Sequence, residues 1–162
     1  MGLLRKLCTP DWVMRRHFTS EVLAEIESAI AAVELRHAGE ICFAVETTLD
    51  LPDVRAHVTP RERALQVFGR MRVWDTENNN GVLVYVLYAH RALEIVADRG
   101  IARLVPQADW DTLCRTVEQD FHAGQFRAGS LKAIQGVAAL LQRHFPHAPG
   151  DANELPNQPM LL

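Results

Sequence analysis

The sequence has few cysteines, no long apolar run and no strong excess of charge of either sign. Its three cysteines stand far apart, without the CxxC pairing of a zinc site or a thioredoxin-like motif. An odd, sparse count is typical of free thiols in a reducing compartment, and no stretch approaches the ~20 consecutive apolar residues of a membrane helix. The net charge of −3 is too small to favour nucleic acid or an anionic membrane as a partner. We therefore expect a cytoplasmic protein with no transmembrane segment and no nucleic-acid partner.

Signatures of nucleophilic catalysis are also absent. None of the three serines lies in a GxSxG turn. No cysteine is followed, after five intervening residues, by the arginine that would complete a phosphate cradle. No glycine-rich loop has the spacing of a P-loop or a dinucleotide-binding fold. The sequence therefore excludes the enzyme classes that carry these motifs.

The two ends of the chain differ in composition from its middle. Residues 1–18 interleave basic with apolar side chains, a pattern typical of an amphipathic segment that binds a membrane surface or a partner, or of a short helix lying on its own domain. Their apolar part is too short for a secretion signal, so we expect none. Residues 146–162 hold four of the eight prolines and predict a flexible tail. One domain is thus expected over residues 19–145.

The apolar pattern within that range predicts seven elements in the order helix, strand, helix, strand, strand, helix, helix. The helices are expected to begin near Thr19, Pro60, Asp109 and Ser130, and the strands to cover Ile41–Val45, Val82–Ala89 and Leu93–Asp98. A strand–helix–strand crossover makes the first two strands parallel, and the third then returns antiparallel as the strand nearer an edge. We predict an α/β fold, a single domain whose small mixed β-sheet is covered by helices in a three-layer sandwich.

The loop before the second strand concentrates oxygen-bearing side chains. Carboxylates and amide carbonyls on a flexible loop are the ligands that hard cations such as Ca²⁺ or Mg²⁺ prefer. The antiparallel third strand is expected to bring Asp98 towards Asn80, and Glu40 begins the first strand at the same edge of the sheet. The predicted metal ligands are Asp75, Glu77, Asn79, Asn80 and Asp98. The alternative is a plain turn, because polar residues are what short loops contain.

The opposite edge, at the carboxyl ends of the parallel strands, is where ligands of open α/β sheets usually bind. The polar residues expected there are Glu46, Thr47, Asp50, His90 and Arg91. They predict either an acid/base pair or a solvated rim with a surface ion pair.

Three segments together resemble a known family. An Asn-Gly-Val-Leu run at Asn80–Leu83 enters the second strand, a further strand follows over Arg91–Ile95, and a late segment carries Phe121, Gly124, Gln125, Phe126 and Gly129. Over residues 20–145 this order resembles the TPM-domain family. Its members include a thylakoid-lumen protein of photosystem II repair described as a low-activity acid phosphatase, a modulator of acetylcholine receptors, and bacterial proteins of which some are reported to bind calcium. The resemblance implies an α/β sandwich and a divalent-cation site near the loop preceding Gly81.

Two functions of different class remain open. The first is a non-catalytic cytoplasmic module that holds Ca²⁺ or Mg²⁺ in the acidic loop and binds a protein partner. The alternative is a weak metal-dependent phosphomonoesterase, in which the ion polarises phosphate and activates water. The missing nucleophile favours the binding module. A structural protein without a small ligand is the third interpretation.

Overall fold

The computed structural model describes residues 9–147 and 152–162 and contains a four-stranded mixed sheet. The strand order is β3-β2-β1-β4. Strand β1 pairs in parallel with β2 and with β4, and β2 pairs antiparallel with β3. The strands are β1 (Glu40–Glu46), β2 (Gly81–Leu87), β3 (Ala92–Ala97) and β4 (Met160–Leu161).

Seven α-helices surround this sheet in the part of the chain that the structure describes, together with a 3-10 turn at Tyr88–His90. The helices are α1 (Asp11–Arg15), α2 (Ser20–Glu34), α3 (Leu51–Arg55), α4 (Pro60–Arg70), α5 (Arg99–Ala102), α6 (Gln107–His122) and α7 (Phe126–His144). The predicted α/β class and the predicted order of the main elements are confirmed.

Alternation along the buried strands divides the core into two layers. In β1, Ile41, Phe43 and Val45 point into the larger cluster, which α2, α6 and α7 cover. Cys42 and Ala44 point into the smaller cluster beneath α4. A strand buried on both faces has to be apolar at successive positions, which is why the sequence of β1 lacks a polar alternation.

Local sequence signals explain where several helices begin. The side chain of Thr19 accepts a hydrogen bond from the amide of Val22 at 3.3 Å at the start of α2. Thr59 and Glu62 form a reciprocal capping box at α4, with Pro60 in the first turn, where its missing amide proton costs nothing.

Several element boundaries differ from the prediction, and the second strand ends at Leu87 instead of Ala89. The last helix begins at Phe126 instead of near Ser130. Ser130 lies in the second turn of this helix and is completely buried. The preceding helix begins at Gln107, so Asp109 lies in the first turn and is not the cap. The stretch between the first strand and the helix at Pro60, in which no element was predicted, contains α3, whose cap is Asp50.

The ends of the chain are described in part. Residues 1–8 of the predicted amphipathic segment, and 148–151 of the predicted tail, lie outside the described residues. The remainder of the tail contributes β4, and the amide of Leu162 donates to the carbonyl of Val45 at 2.9 Å. Within the described ranges, no helix combines the length and the apolar character needed to cross a membrane.

Candidate functional site

Two glycines allow close backbone packing around the acidic loop, residues 75–80. A Cβ added at Gly81 would lie 2.0 Å from the backbone oxygen of Val73, and one at Gly100 would lie 2.5 Å from that of Asn79. No other residue type tolerates such approaches. Asn79 itself has a φ of 51°, a left-handed conformation that asparagine adopts more readily than most residues. The glycine of the Asn-Gly-Val-Leu run therefore lets the start of β2 pack against the segment that leads into the loop.

Asp98 lies beside the end of this loop. Its amide donates to the carbonyl of Gly81 at 2.8 Å, and its Oδ1 caps α5 by accepting from the amide of Arg99 at 2.7 Å. Its other oxygen, Oδ2, is buried and has no hydrogen-bond partner within residues 9–147 and 152–162. A buried carboxylate oxygen without a donor is costly, so this atom calls for a ligand or a water molecule.

Asn80 shows the same imbalance on one side of its amide group. Its Nδ2 donates to the carbonyl of Ala38, and its backbone amide donates to Thr76 Oγ1 at 3.1 Å. Its Oδ1 is buried without a hydrogen-bond partner among the described residues. The carbonyl of Asn80 accepts from the amide of Glu40 at 3.0 Å. The structure thus brings Asn80, Asp98 and Glu40 to one edge of the sheet.

The other three predicted ligands have different surroundings. Asp75 is exposed and pairs with Arg72 at 2.7 Å. Asn79 Oδ1 accepts from Arg99 Nε at 2.9 Å, and the exposed Glu77 contributes a backbone amide to Glu154 at 3.0 Å. Across residues 9–147 and 152–162, no group of three or more His, Cys, Asp or Glu side chains is arranged to hold a metal ion.

The opposite edge contains a closed ionic network instead of an acid/base pair. Arg63 Nε and Nη2 donate to the two oxygens of Glu46 at 2.8 and 2.6 Å. Tyr85 donates its hydroxyl to Glu46 at 2.5 Å, and Asp53 lies 3.2 Å from Arg63. The hydrogen bond to Glu46 raises the pKa of Arg63, and burial together with the same carboxylate raises the pKa of Tyr85. Glu46 is only 7% exposed, so the solvated rim is wrong at this residue.

Asp50, Arg91 and Thr47, also predicted at this edge, have structural contacts, although the hydroxyl of Thr47 is buried without a hydrogen-bond partner among the described residues. Asp50 accepts from the amide of Asp53 at 3.0 Å and caps α3. Arg91 donates to the carbonyl of His122 and adopts a φ of 54°. The backbone carbonyl of Thr47 accepts a hydrogen bond from the amide of Ala89 at 2.9 Å.

Arg63 is the central residue of the network, and it is absent from the residues predicted at this edge. Its position did carry a signal, because it lies one helical turn before the buried Val67 and therefore on the inner face of α4. An arginine on the buried side of an amphipathic helix needs an anionic partner. Glu46, at the end of the neighbouring strand, is that partner.

Comparison with known proteins gives a consistent result. The family model of the TPM domain matches residues 15–140. The NMR structure of the BA42 protein from the psychrophilic bacterium Bizionia argentinensis is 30% identical with a TM-score of 0.78, over 89% of this chain and 94% of that one. No match is found among the curated proteins.

Two more distant structures share the fold alone. The N-terminal domain of a protein from P. gingivalis is 18% identical with a TM-score of 0.62, over 80% of this chain and 82% of that one. The N-terminal domain of a protein from Corynebacterium glutamicum is 14% identical with a TM-score of 0.56, over 76% of this chain and 73% of that one. From the family model and the similarity to BA42, the chain belongs to the TPM-domain family.

Proposed function

We propose that this TPM-domain chain is a divalent-cation-binding and protein-interaction module, with Asp98 and Asn80 as the central cation ligands. The observation that carries the proposal is the pair of buried oxygens without hydrogen-bond partners, Asp98 Oδ2 and Asn80 Oδ1. A carboxylate and an amide oxygen are the donors that Ca²⁺ and Mg²⁺ take. Asp75, Glu77 and Asn79 belong to the same loop and complete the proposed ligand set.

The donor set favours Ca²⁺ over Mg²⁺. Asp75 and Asn79 would have to exchange their arginine partners for the ion, since Arg72 and Arg99 now contact them. Ca²⁺ accepts such irregular and adjustable coordination at six to eight oxygens, whereas Mg²⁺ requires near-octahedral geometry.

An exposed aromatic side chain beside the loop supports the protein-interaction part. Trp74 is 48% exposed, and the guanidinium of Arg72 lies 5.6 Å from its ring centroid. Tryptophan and arginine are the residue types that contribute most to protein interfaces. A partner bound at Trp74 would therefore lie next to the cation loop.

A calcium titration with one conservative variant tests the cation site. We expect Ca²⁺ to stabilise the wild-type chain by about 2.7 kcal/mol at a hundredfold excess over Kd, and to raise its melting temperature further with the logarithm of the Ca²⁺ concentration. Asp98→Asn should abolish this rise, because it removes the negative charge. The variant should still fold, because asparagine keeps an N-cap oxygen for α5. The matched control is Asp111→Asn on the exposed side of α6.

The outcomes separate the proposal from its competitors. Stabilisation by Ca²⁺ that Asp98→Asn removes and Asp111→Asn preserves supports the site. No change up to millimolar Ca²⁺ contradicts it and leaves the interpretation of a structural protein without a small ligand.

A weak metal-dependent phosphomonoesterase is the second candidate, because two arginines contact side chains of the loop. Arg72 contacts Asp75 and Arg99 contacts Asn79, and guanidinium groups are good phosphate ligands. Phosphate release from p-nitrophenyl phosphate should then need a divalent cation and disappear in Asp98→Asn. Release that persists in the variant rules this candidate out. We also propose a cytoplasmic location for the binding module, which the sparse cysteines favour.

A further inference from the structure

The charge of the chain is divided unevenly along the sequence. Residues 1–18 contain four of the 17 basic residues but one of the 20 acidic residues, a net charge of +3, whereas the rest of the chain carries −6. The overall charge of −3 is therefore the sum of a positive segment and a more negative remainder. In the positive segment, basic residues are interleaved with leucines and continue into α1, a pattern typical of chains that bind a membrane surface.

Helix α1 is fixed to the domain by its inner face and by the residues that follow it. The side chains of Met14 and Phe18 are each 1% exposed and belong to the larger core cluster. His17 Nδ1 lies 2.8 Å from the hydroxyl of Tyr88, which directly follows strand β2. The outer face of α1 therefore has a defined position, near the carboxyl end of the parallel strands.

The outer face of α1 presents an aromatic ring and two arginines. Trp12 is 56% exposed, and the guanidinium of Arg16 lies 4.6 Å from its ring centroid. Arg15 and Arg16 are both exposed. Neither forms an ion pair within residues 9–147 and 152–162. Both guanidinium groups can therefore contact an anionic surface without breaking an existing pair.

A second exposed tryptophan provides a comparison within the same molecule. Trp74 is 48% exposed, and Arg72 lies 5.6 Å from its ring centroid. Arg72 pairs with Asp75 at 2.7 Å, so its charge is compensated. Of these two sites, the one at Trp12 has the positive charge that an anionic surface attracts.

We propose that α1 and the residues that precede it dock this chain on an anionic phospholipid surface. Trp12 enters the headgroup region, where tryptophan is favoured because its ring is apolar and its Nε1 donates a hydrogen bond. Arg15 and Arg16 contact lipid phosphates, for which a guanidinium group is a good bidentate donor. Arg5 and Lys6 precede α1 by a few residues and add to the positive charge. The cytoplasmic leaflet of a membrane carries anionic lipid, in agreement with the cytoplasmic location proposed above.

Co-sedimentation of the full-length chain with vesicles tests this proposal. We expect binding to vesicles made of equal parts of phosphatidylglycerol and phosphatidylcholine, and none to vesicles of phosphatidylcholine alone. Added NaCl should release the chain, because the screening length falls from about 10 Å at 0.1 M salt to about 3 Å at 1 M. All samples contain EDTA, so the result does not depend on the proposed cation site.

A pair of arginine variants measures the contribution of charge. Arg15→Gln combined with Arg16→Gln should weaken binding to the anionic vesicles about thirtyfold, since each arginine near such a surface contributes a factor of about five. The matched control is Arg70→Gln combined with Arg103→Gln, at exposed positions at the ends of α4 and α5. It changes the overall charge by the same amount and should bind as the wild type does.

A pair of tryptophan variants measures the contribution of the aromatic ring. Trp12→Ala should weaken vesicle binding about tenfold, the effect of leaving ~60 Å² of apolar surface in water. Trp74→Ala removes the other exposed indole and should leave vesicle binding unchanged. Because both positions are exposed, both variants should keep the melting temperature of the wild type.

Four outcomes would overturn the proposal. The first is equal binding to neutral and anionic vesicles, and the second is no vesicle binding at all. The third is equal weakening in the matched control variants. The fourth is binding to polyglutamate without binding to vesicles, which would favour an acidic protein as the partner of this surface.

Discussion

The buried carboxylates of Glu46 and Asp98, at opposite ends of the sheet, differ in how fully they are hydrogen-bonded. At the carboxyl end, Glu46 has its two oxygens occupied by Arg63, and Tyr85 adds a third hydrogen bond. At the amino end, Asp98 and Asn80 each keep one buried oxygen without a hydrogen-bond partner among the described residues. A buried charge whose partners come from the fold is compensated within it, whereas one left without partners points to a ligand. For these carboxylates, the number of hydrogen-bond partners is therefore a better guide to a ligand site than the density of charged residues.

Removing the cation of the closed network should have the largest effect. Arg63→Met leaves Glu46 buried without its counter-charge, since the two side chains are only 8% and 9% exposed. We expect a loss of about 3–5 kcal/mol in the free energy of unfolding, measured by urea denaturation. The matched control is Arg72→Met at the amino end, where the ion pair with Asp75 is exposed and contributes about 0–1 kcal/mol.

Equal losses in these two variants would contradict the comparison. They would mean that burial of the Glu46–Arg63 pair contributes nothing beyond that of an exposed pair. A loss confined to Arg63→Met would identify the carboxyl end as a structural centre of the fold.

The architecture was predictable because the buried strands are apolar on both faces. Ile41–Val45 and the run entering at Gly81 indicate a covered sheet, and the crossover rule then gives the parallel pairing and the antiparallel return. Strand β4 was not predicted, because the pairing of Met160 and Leu161 with β1 depends on the free edge of that strand. Two residues carry no periodicity from which a strand could be inferred.

The candidate site was predictable in its placement and less so in its contacts. Topology alone put Asp98 beside the asparagine-rich loop, because an antiparallel strand ends where its neighbour begins. The pairing of Arg72 with Asp75 and of Arg99 with Asn79 depends on side-chain conformations that no spacing rule gives.

The pH dependence of stability should show the next largest effect, at the amino end. The pKa of Glu34 is raised to about 7 in the folded chain from a reference value of 4.5. The folded state thus holds this proton more tightly, so its contribution to stability is present below about pH 4.5 and is lost as pH rises through about 7. Glu34→Gln has no titrating proton at this position, so it does not lose stability in this way as pH rises. We expect the variant to gain on the order of 2 kcal/mol relative to wild type between pH 5 and 8.

Urea denaturation of both chains at several pH values measures this difference. Glu27→Gln, on the exposed face of the same helix, should stay parallel to wild type over the whole range. A constant difference between Glu34→Gln and wild type would show that the carboxyl group keeps its ordinary affinity for protons.

The smallest effect should come from Asp50, which sequence reasoning placed among the polar residues of the carboxyl end. Its side chain accepts from the amide of Asp53 and caps α3, so Asp50→Ala should cost about 1 kcal/mol in the free energy of unfolding. Asp50→Asn should cost only a few tenths of that, because asparagine caps about as well as aspartate. An acid/base role would instead make the two substitutions equally harmful to any activity. Urea denaturation and phosphate release, measured on the same two variants, therefore decide whether the carboxyl end contributes anything beyond structure.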